Sequence, residues 1–402
     1  MPVRRPPHPL RVSFLVAALA MLAPFTLDTY LPSFPAIASD LGATPHDMQR
    51  TLSDYLWAFG AMMLVYGPLS DALGRRRVVL VALLGYALAS LGCALAEDID
   101  TLVLMRAGQG MAAGAGLVIG RAFARDLFEG AEAQRVLANV MLFFAVGPAI
   151  APIVGGWLES GFGWRSVFLF LAGLGLVILA LVAAWMPESL PVDRRQPLHP
   201  GSVARAYGAM LSHPSFMLLA LMFGINFGGL FLYIASAPEL IYSHLGYGEH
   251  DFWRLFLPVV TGIVGGSFLA GRLAHRLAPR HAVSLGLAVL LAAASINVLV
   301  NQSGEPGAAA LIAPVALYAL GMALAMPSLS LMGMDLFPAR RGMASALQGF
   351  MQMSSNGLIA AFVVAVLAAS TLSLAWGQLA IATSSLVLWL AWNLLRARHV
   401  AG

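Results

Sequence analysis

Lysine is absent from this chain: all 23 basic residues are arginine, which we read as GC-rich, bacterial-type coding rather than as chemistry. Charge of either sign is scarce, 10% of 402 residues against 59% hydrophobic, which excludes a soluble protein of this length. The single cysteine, Cys93, excludes a disulfide framework and a cysteine-based metal site. There is no HExxH, no GxSxG elbow and only scattered histidines, so a membrane-embedded enzyme has no convergent catalytic set, and neither cofactor nor metal is expected. There is no GxxxxGK[ST] loop and no soluble domain to hold one, which argues against an ATP-driven pump. The net charge of +4 does not point to nucleic acid, because the arginines follow one membrane edge, as set out below.

What is present is a series of apolar stretches long enough to cross a hydrocarbon core of about 30 Å. They fall at about 12–38, 48–70, 77–96, 100–124, 134–157, 164–186, 214–238, 252–275, 280–300, 308–332, 341–368 and 371–395. The start, "MPVRRPPHPLRVSFLVAALAMLAP", has the basic-then-apolar order of a signal peptide. The apolar run outlasts the usual h-region and has no convincing cleavage site, so it is taken as the first span. The spans are too long and continuous for barrel strands. The fold class expected is all-α, a polytopic protein of twelve transmembrane helices in the lipid bilayer.

With both termini cytoplasmic, 19 arginines fall inside, Arg50, Arg165 and Arg254 fall outside, and Arg106 lies within a span. That is a strong positive-inside bias. The longest connection, 187–213, is rich in proline and arginine (Pro187, Pro191, Pro197, Pro200, Arg194, Arg195, Arg205). It reads as a cytoplasmic linker between six-helix bundles at 1–186 and 214–402. The halves repeat: Tyr30, Ser33 and Pro35 recur 203 residues later as Tyr233, Ser236 and Pro238, and Gly67, Leu69, Leu73 and Arg76 recur at a shift of 204 as Gly271, Leu273, Leu277 and Arg280. A parallel duplication with a site between the halves describes a secondary transporter.

Asp28 stands deep in the first span, 17 residues after Arg11 and 12 before Asp40. An aspartate in hydrocarbon costs about 2.5 to 3.5 kcal/mol on insertion scales, so its retention points to a use. Burial penalises the charged form of a carboxyl group, which makes Asp28 a candidate for gaining and losing a proton. Pro32 and Pro35 should loosen the helix beside it and expose carbonyls to a cavity. Arg106, mid-span, must find a carbonyl, a glutamine or a carboxylate in the protein interior; a purely structural arginine and a proton-coupling one are both open. Tyr30, Asn226 and Tyr233 offer polar handles, and Phe227 and Phe231 aromatic faces, though packing is the simpler reading of the phenylalanines. Arg50 stands four residues before Asp54, a spacing that supports a solvated pair.

"GPLSDALGRRR", Gly67 to Arg77, resembles the signature cytoplasmic loop of the major facilitator superfamily. The resemblance implies a conformational latch of Gly67, Asp71, Gly74, Arg75 and Arg76. "RAGQGMAAGAG", Arg106 to Gly116, resembles the fourth-helix motif of its proton-coupled members. "AVGPAIAPIVGGWL", Ala145 to Leu158, resembles the fifth-helix antiporter motif of drug:proton exchangers, carried here by Gly147, Pro148, Pro152, Gly155 and Gly156. Their small size suits a tight, bendable contact to the eighth helix, itself glycine-rich at Gly262, Gly265 and Gly266. "TLDTYLPSFPAIASDLG", "GRAFARDLFEG" and "GWRSVF" together are similar to the Bcr/CflA, bicyclomycin-resistance-like, branch of drug:proton antiporters. The resemblance implies export of a small lipophilic compound, with amphenicol or bicyclomycin-like candidates, in exchange for protons, in a bacterial inner membrane. It also implies a role for the first-helix acid in binding substrate or proton. Arg121 reads as a topology residue, while Arg125 matches the branch's "RD" pair and could guide substrate or balance Asp126, Glu129 and Glu132. The alternative is an exporter or proton symporter of one metabolite; a channel or a transport-dead sensor is not excluded by motifs. One complete cavity per chain makes a monomer sufficient.

Overall fold

The computed structural model describes residues 9–128, 130–195, 197–304 and 306–401, and among them there is no strand. The first half runs α1 (Pro9–Asp28), a 3-10 turn (Leu31–Ser33), α2 (Phe34–Leu41), α3 (Pro45–Leu73), α4 (Arg75–Ala94), α5 (Ile99–Leu127), α6 (Gly130–Phe162) and α7 (Trp164–Trp185). Then come α8 (Pro200–Leu211), α9 (Pro214–Ala235), a π turn (Glu239–His244), α10 (Trp253–Leu273), α11 (Pro279–Gln302) and α12 (Ala308–Asp335). The chain finishes with α13 (Arg341–Leu358), a second π turn (Ile359–Val364), α14 (Ala365–Leu367) and α15 (Thr371–Ala401). Among the described residues 11 helical segments are long and apolar enough to cross a membrane. The 33-residue α6 stands where the sequence predicts the fifth span, so the twelve-helix reading holds.

Local chemistry sets the boundaries. α2 stops where Gly42 turns left-handed at φ 61°. α3 begins at a reciprocal cap in which Thr44 Oγ1 accepts from Asp47 N–H (3.2 Å) and Asp47 Oδ2 accepts from Thr44 N–H (3.1 Å), with Pro45 preset for the first turn. The first span breaks after Asp28 and resumes at Phe34, with Pro32 inside the gap and Pro35 in the next first turn, as the sequence suggests. α9 loses its α-helical winding at the equivalent place, after Ala235.

α1 packs on α5 and α6, α3 on α5, and α4 on α5 and α7; in the other half α12 takes α10 and α11, and α9 lies against α13 and α15. The two bundles meet where α3 crosses α13 and where α6 reaches α10. On the face remote from the chain ends the seam is tied by hydrogen bonds from Tyr242 Oη to the Pro32 carbonyl (2.7 Å) and from Gln49 Nε2 to the Ala235 carbonyl (3.1 Å). On the face that carries both chain ends the bundles part around a cavity of about 650 Å³. The linker is more ordered than its prolines suggest. α8 lies beside this cavity, with Tyr207 Oη donating to the Leu64 carbonyl (3.0 Å) and Met210 buried with Phe216, Ala344 and Leu347.

Candidate functional site

Asp28 is the last residue of α1 and 5% exposed. It is the one buried carboxylate among the described residues, and none of them hydrogen-bonds or ion-pairs with it. The break beside it is held from outside by α6. Gly155 lies so close that a Cβ there would strike the Thr29 carbonyl, while Gly147 faces Pro24 and Phe25. Gly156, one position on, meets the Glu249 backbone of the opposite bundle. Pro148 and Pro152 lie within the same helix. α6 is therefore a wedge between the broken first span and the turn leading into α10. The contact to the eighth helix expected from sequence is present where α6 reaches α10, but the glycines of α10 are turned elsewhere: Gly262 and Gly266 approach the carbonyls of Ala316 and Leu320 on α12, not α6.

Arg106 is fully buried one span away. Its guanidinium lies between two tyrosine rings, 4.1 Å from the centroid of Tyr30 and 4.6 Å from that of Tyr55, a favourable place for a desolvated cation. Nη1 donates to Gln109 Oε1 (2.8 Å) and to the Thr26 carbonyl (3.3 Å). The network extends through Gln109 Nε2 to Ser90 Oγ (2.7 Å), and Tyr86 Oη meets Thr26 Oγ1 at 2.6 Å. The carbonyl and the glutamine expected from sequence are both present, with no carboxylate in ion-pair reach among the described residues. Tyr30 Oη lies 2.9 Å from Thr51 Oγ1. The Nε and Nη2 groups of Arg106 and the Tyr55 hydroxyl have no hydrogen-bond partner among the described residues. Such groups are costly inside a protein unless something else meets them. Tyr55, Thr26, Tyr86 and Ser90 were not singled out from sequence.

In the opposite bundle, Tyr233 Oη accepts from Asn297 Nδ2 (2.7 Å), which also donates to Gln378 Oε1 (2.8 Å). Asn226 is fully buried with both side-chain amide atoms unpartnered among the described residues. Phe227 and Phe231 stack on one another at 6.5 Å. The structure thus joins Tyr30 to Arg106 in one bundle and Tyr233 to Asn297 in the other, with Asn226 beside neither cluster's hydrogen bonds.

The latch residues gather at the cavity face. Arg75 is the hub: Nη1 lies 2.6 Å from Asp71 Oδ1 and donates to Ser70 Oγ (2.6 Å), Nε donates to Asp126 Oδ2 (3.0 Å), and its N–H donates to Glu188 Oε1 (2.9 Å). Arg76 Nη2 reaches the Ala183 carbonyl (2.6 Å). These contacts tie α3, α4, α5 and the segment after α7 within one bundle. Gly67 lines the cavity, and a Cβ there would meet nothing. Gly74 adopts φ 97°, ψ 143°, a region essentially reserved for glycine. Gly74→Ala should cost about 1 to 3 kcal/mol, read as a lowered melting temperature; an unchanged melting temperature would mean the turn relaxes freely.

Arg121 and Arg125 line the same cavity with Arg340 and Arg341. Asp126, one of the acids that Arg125 could balance, is held by Arg75 and by Ser189 Oγ (2.8 Å), and Glu129 lies outside the described residues. Arg50 pairs with Asp47 (3.5 Å) and Asp100 (3.4 Å) rather than with Asp54. The cavity reaches inward to Met63, Leu117 and Val118. Tyr55, at the level of Arg106, stands eight residues further along α3, about 12 Å away at helical rise; packed Phe59 and Gly60 lie between.

Two bundles meeting on one seam, a buried acid at a broken helix and a cavity open on one face fit a secondary membrane transporter. Residues 16–361 match the family model of the Major Facilitator Superfamily, and the chain belongs to that superfamily. It is 32% identical over 335 residues to a chloramphenicol resistance protein of Pseudomonas aeruginosa, covering 80% of this chain and 78% of that one. It is 28% identical over 271 residues to a bicyclomycin resistance protein homolog of Haemophilus influenzae, covering 67% of this chain and 68% of the relative. Among solved structures, a D-xylose-proton symporter shares the fold with a TM-score of 0.73 at 14% identity, over 94% of this chain and 97% of that one. The chain is a multi-pass transporter, not an enzyme.

Proposed function

We propose that this protein exports small lipophilic compounds across a bacterial inner membrane by proton antiport, through alternating access, with both termini and the arginine-lined cavity on the cytoplasmic side. The observation that carries the reading is Asp28, the one buried carboxylate among the described residues, at the break of the first span. Relatives named for chloramphenicol and bicyclomycin resistance support the substrate class.

The geometry supports the following cycle. Substrate enters from the cavity side when the Phe59–Met63 barrier gives way, and binds while Asp28 is ionised. Tyr30, Tyr55 and Arg106 of one bundle and Asn226 and Tyr233 of the other supply polar handles. The bundles then rock about the α3–α13 and α6–α10 contacts, the far-face bonds of Tyr242 and Gln49 part, and a proton from outside neutralises Asp28 and releases the substrate. A charge moved through 100 mV supplies about 2.3 kcal/mol, enough for a useful outward gradient. As the cavity closes, Asp71 and Gly67 are carried toward the Arg340–Met343 segment on its opposite wall. The Arg75 hub must yield or be retained at that moment, which is the latch role. Each chain holds one complete site, so a monomer suffices.

The test is transport in proteoliposomes under an imposed pH gradient, with amphenicol, bicyclomycin-like and cationic-dye substrates. Movement of substrate against the proton gradient is expected. Movement with the proton would make the protein a symporter, and no movement of any of these compounds would make it a narrow metabolite carrier.

A further inference from the structure

The cavity between the parted bundles carries more positive than negative charge. Five arginines and two aspartates line it, a formal excess of three. Both aspartates are engaged by a single arginine: Arg75 Nη1 lies 2.6 Å from Asp71 Oδ1, and its Nε donates to Asp126 Oδ2 (3.0 Å). Arg341 is held by Asp335 (2.6 Å). Arg121, Arg125 and Arg340 are left with no ion pair or hydrogen bond among the described residues.

Position separates these three from arginines that only mark the inner membrane edge. Arg121 and Arg125 stand one turn apart on α5 in the first bundle, and Arg340 precedes α13 in the second, so free guanidinium groups line one space from both walls. Arg121 is half-buried there. The linker and α8 supply a third wall through His199 and Ser202. Like charges gathered in one concave space draw counter-ions into it, and guanidinium groups favour oxyanions, which they hold through paired N–H donors. The N-terminus of α13, with no side-chain cap among the described residues, adds N–H groups that suit the same charge. A volume of about 650 Å³ falls within the range of about 300 to 1,000 Å³ of small-molecule sites.

We propose that the mouth of this cavity binds a small soluble polyanion of the phosphate type, held by Arg121 and Arg125 on one wall and Arg340 on the other. Lipid headgroups share that chemistry, but the walls come from both bundles and from α8, which assigns the site to a soluble anion. An occupant that spans both walls must leave before they meet, because closure carries Asp71 toward Arg340. Occupancy therefore holds this face open. That step rests on the rocking motion proposed above; the binding step does not.

The experiment titrates the full chain in phosphatidylcholine nanodiscs with pyrophosphate at constant ionic strength, with spin labels across the cavity mouth. Saturable binding is expected, and Arg121→Gln and Arg340→Gln should each weaken it roughly tenfold or more, the scale of one charge-assisted contact. Arg280→Gln, an exposed arginine outside the cavity, should change little. Phosphatidylglycerol in the nanodiscs should leave pyrophosphate bound, and pyrophosphate should raise the share of long distances across the mouth. The site is overturned if binding does not saturate, if Arg280→Gln weakens it as much as the cavity variants do, or if phosphatidylglycerol displaces pyrophosphate, which would give the arginines to lipid headgroups. Saturable binding with unchanged or shorter distances would overturn the holding-open role alone. Arg340→Gln, at an exposed position, decides the matter if the Arg121 variant does not fold.

Discussion

Asp28→Asn should abolish proton-driven accumulation while substrate-for-substrate exchange continues. The substitution keeps the size and polarity of the side chain at the end of α1, so the break, the Gly155 contact and the packing of α6 should survive. What it removes is the ability to hold and release a proton at the one buried carboxylate among the described residues. Coupling is then lost, but the substrate can still bind and the bundles can still rock with substrate aboard. The check is a pair of proteoliposome assays on one preparation, accumulation under a pH gradient and counterflow without one. Loss of both would mean that Asp28 maintains the site's structure; loss of neither would move the coupling role elsewhere.

Gly155→Val should be the most damaging of the single changes in α6. A side chain at this position runs into the Thr29 carbonyl, and backbone cannot swing away as a side-chain tip can. Overpacking of this kind costs about 1 to 3 kcal/mol, and occasionally more. The displaced segment is the one that carries Asp28 and Tyr30, so transport should fall with stability. Gly156→Val separates the two effects. Its Cβ meets the Glu249 backbone across the seam, so the first bundle should remain packed while the far face is prised open. Spin-label distances across that face should lengthen in Gly156→Val and not in Gly155→Val. Equal lengthening in both would mean that α6 moves as a rigid rod, without the division of labour proposed for its two glycines.

The twelve spans were legible because a chain crossing hydrocarbon must announce itself in long apolar runs, and the break in the first span because Pro32 and Pro35 cannot sit in an unbroken ladder. Arg106 was legible as a residue in need of partners. Its aromatic sandwich was not, since tyrosines and hydroxyls in apolar helices carry no mark that separates a functional neighbour from ordinary packing. Glycine stripes show that some helix comes close but not which, and so the face of Gly262 was assigned to the wrong neighbour. Arg50 found Asp100 at the start of α5, two helices on, a pairing that counting four residues along one helix cannot reveal. α8 was hidden because Pro197 and Pro200 read as linker; Pro200 is in fact the residue that opens the helix.

The central claim is that substrate and proton compete at Asp28. It is tested most directly by the proton released when a transported substrate binds to purified protein in weakly buffered solution. A pH-dependent release is expected from the wild type and none from Asp28→Asn. Release that is unchanged in Asp28→Asn would contradict it.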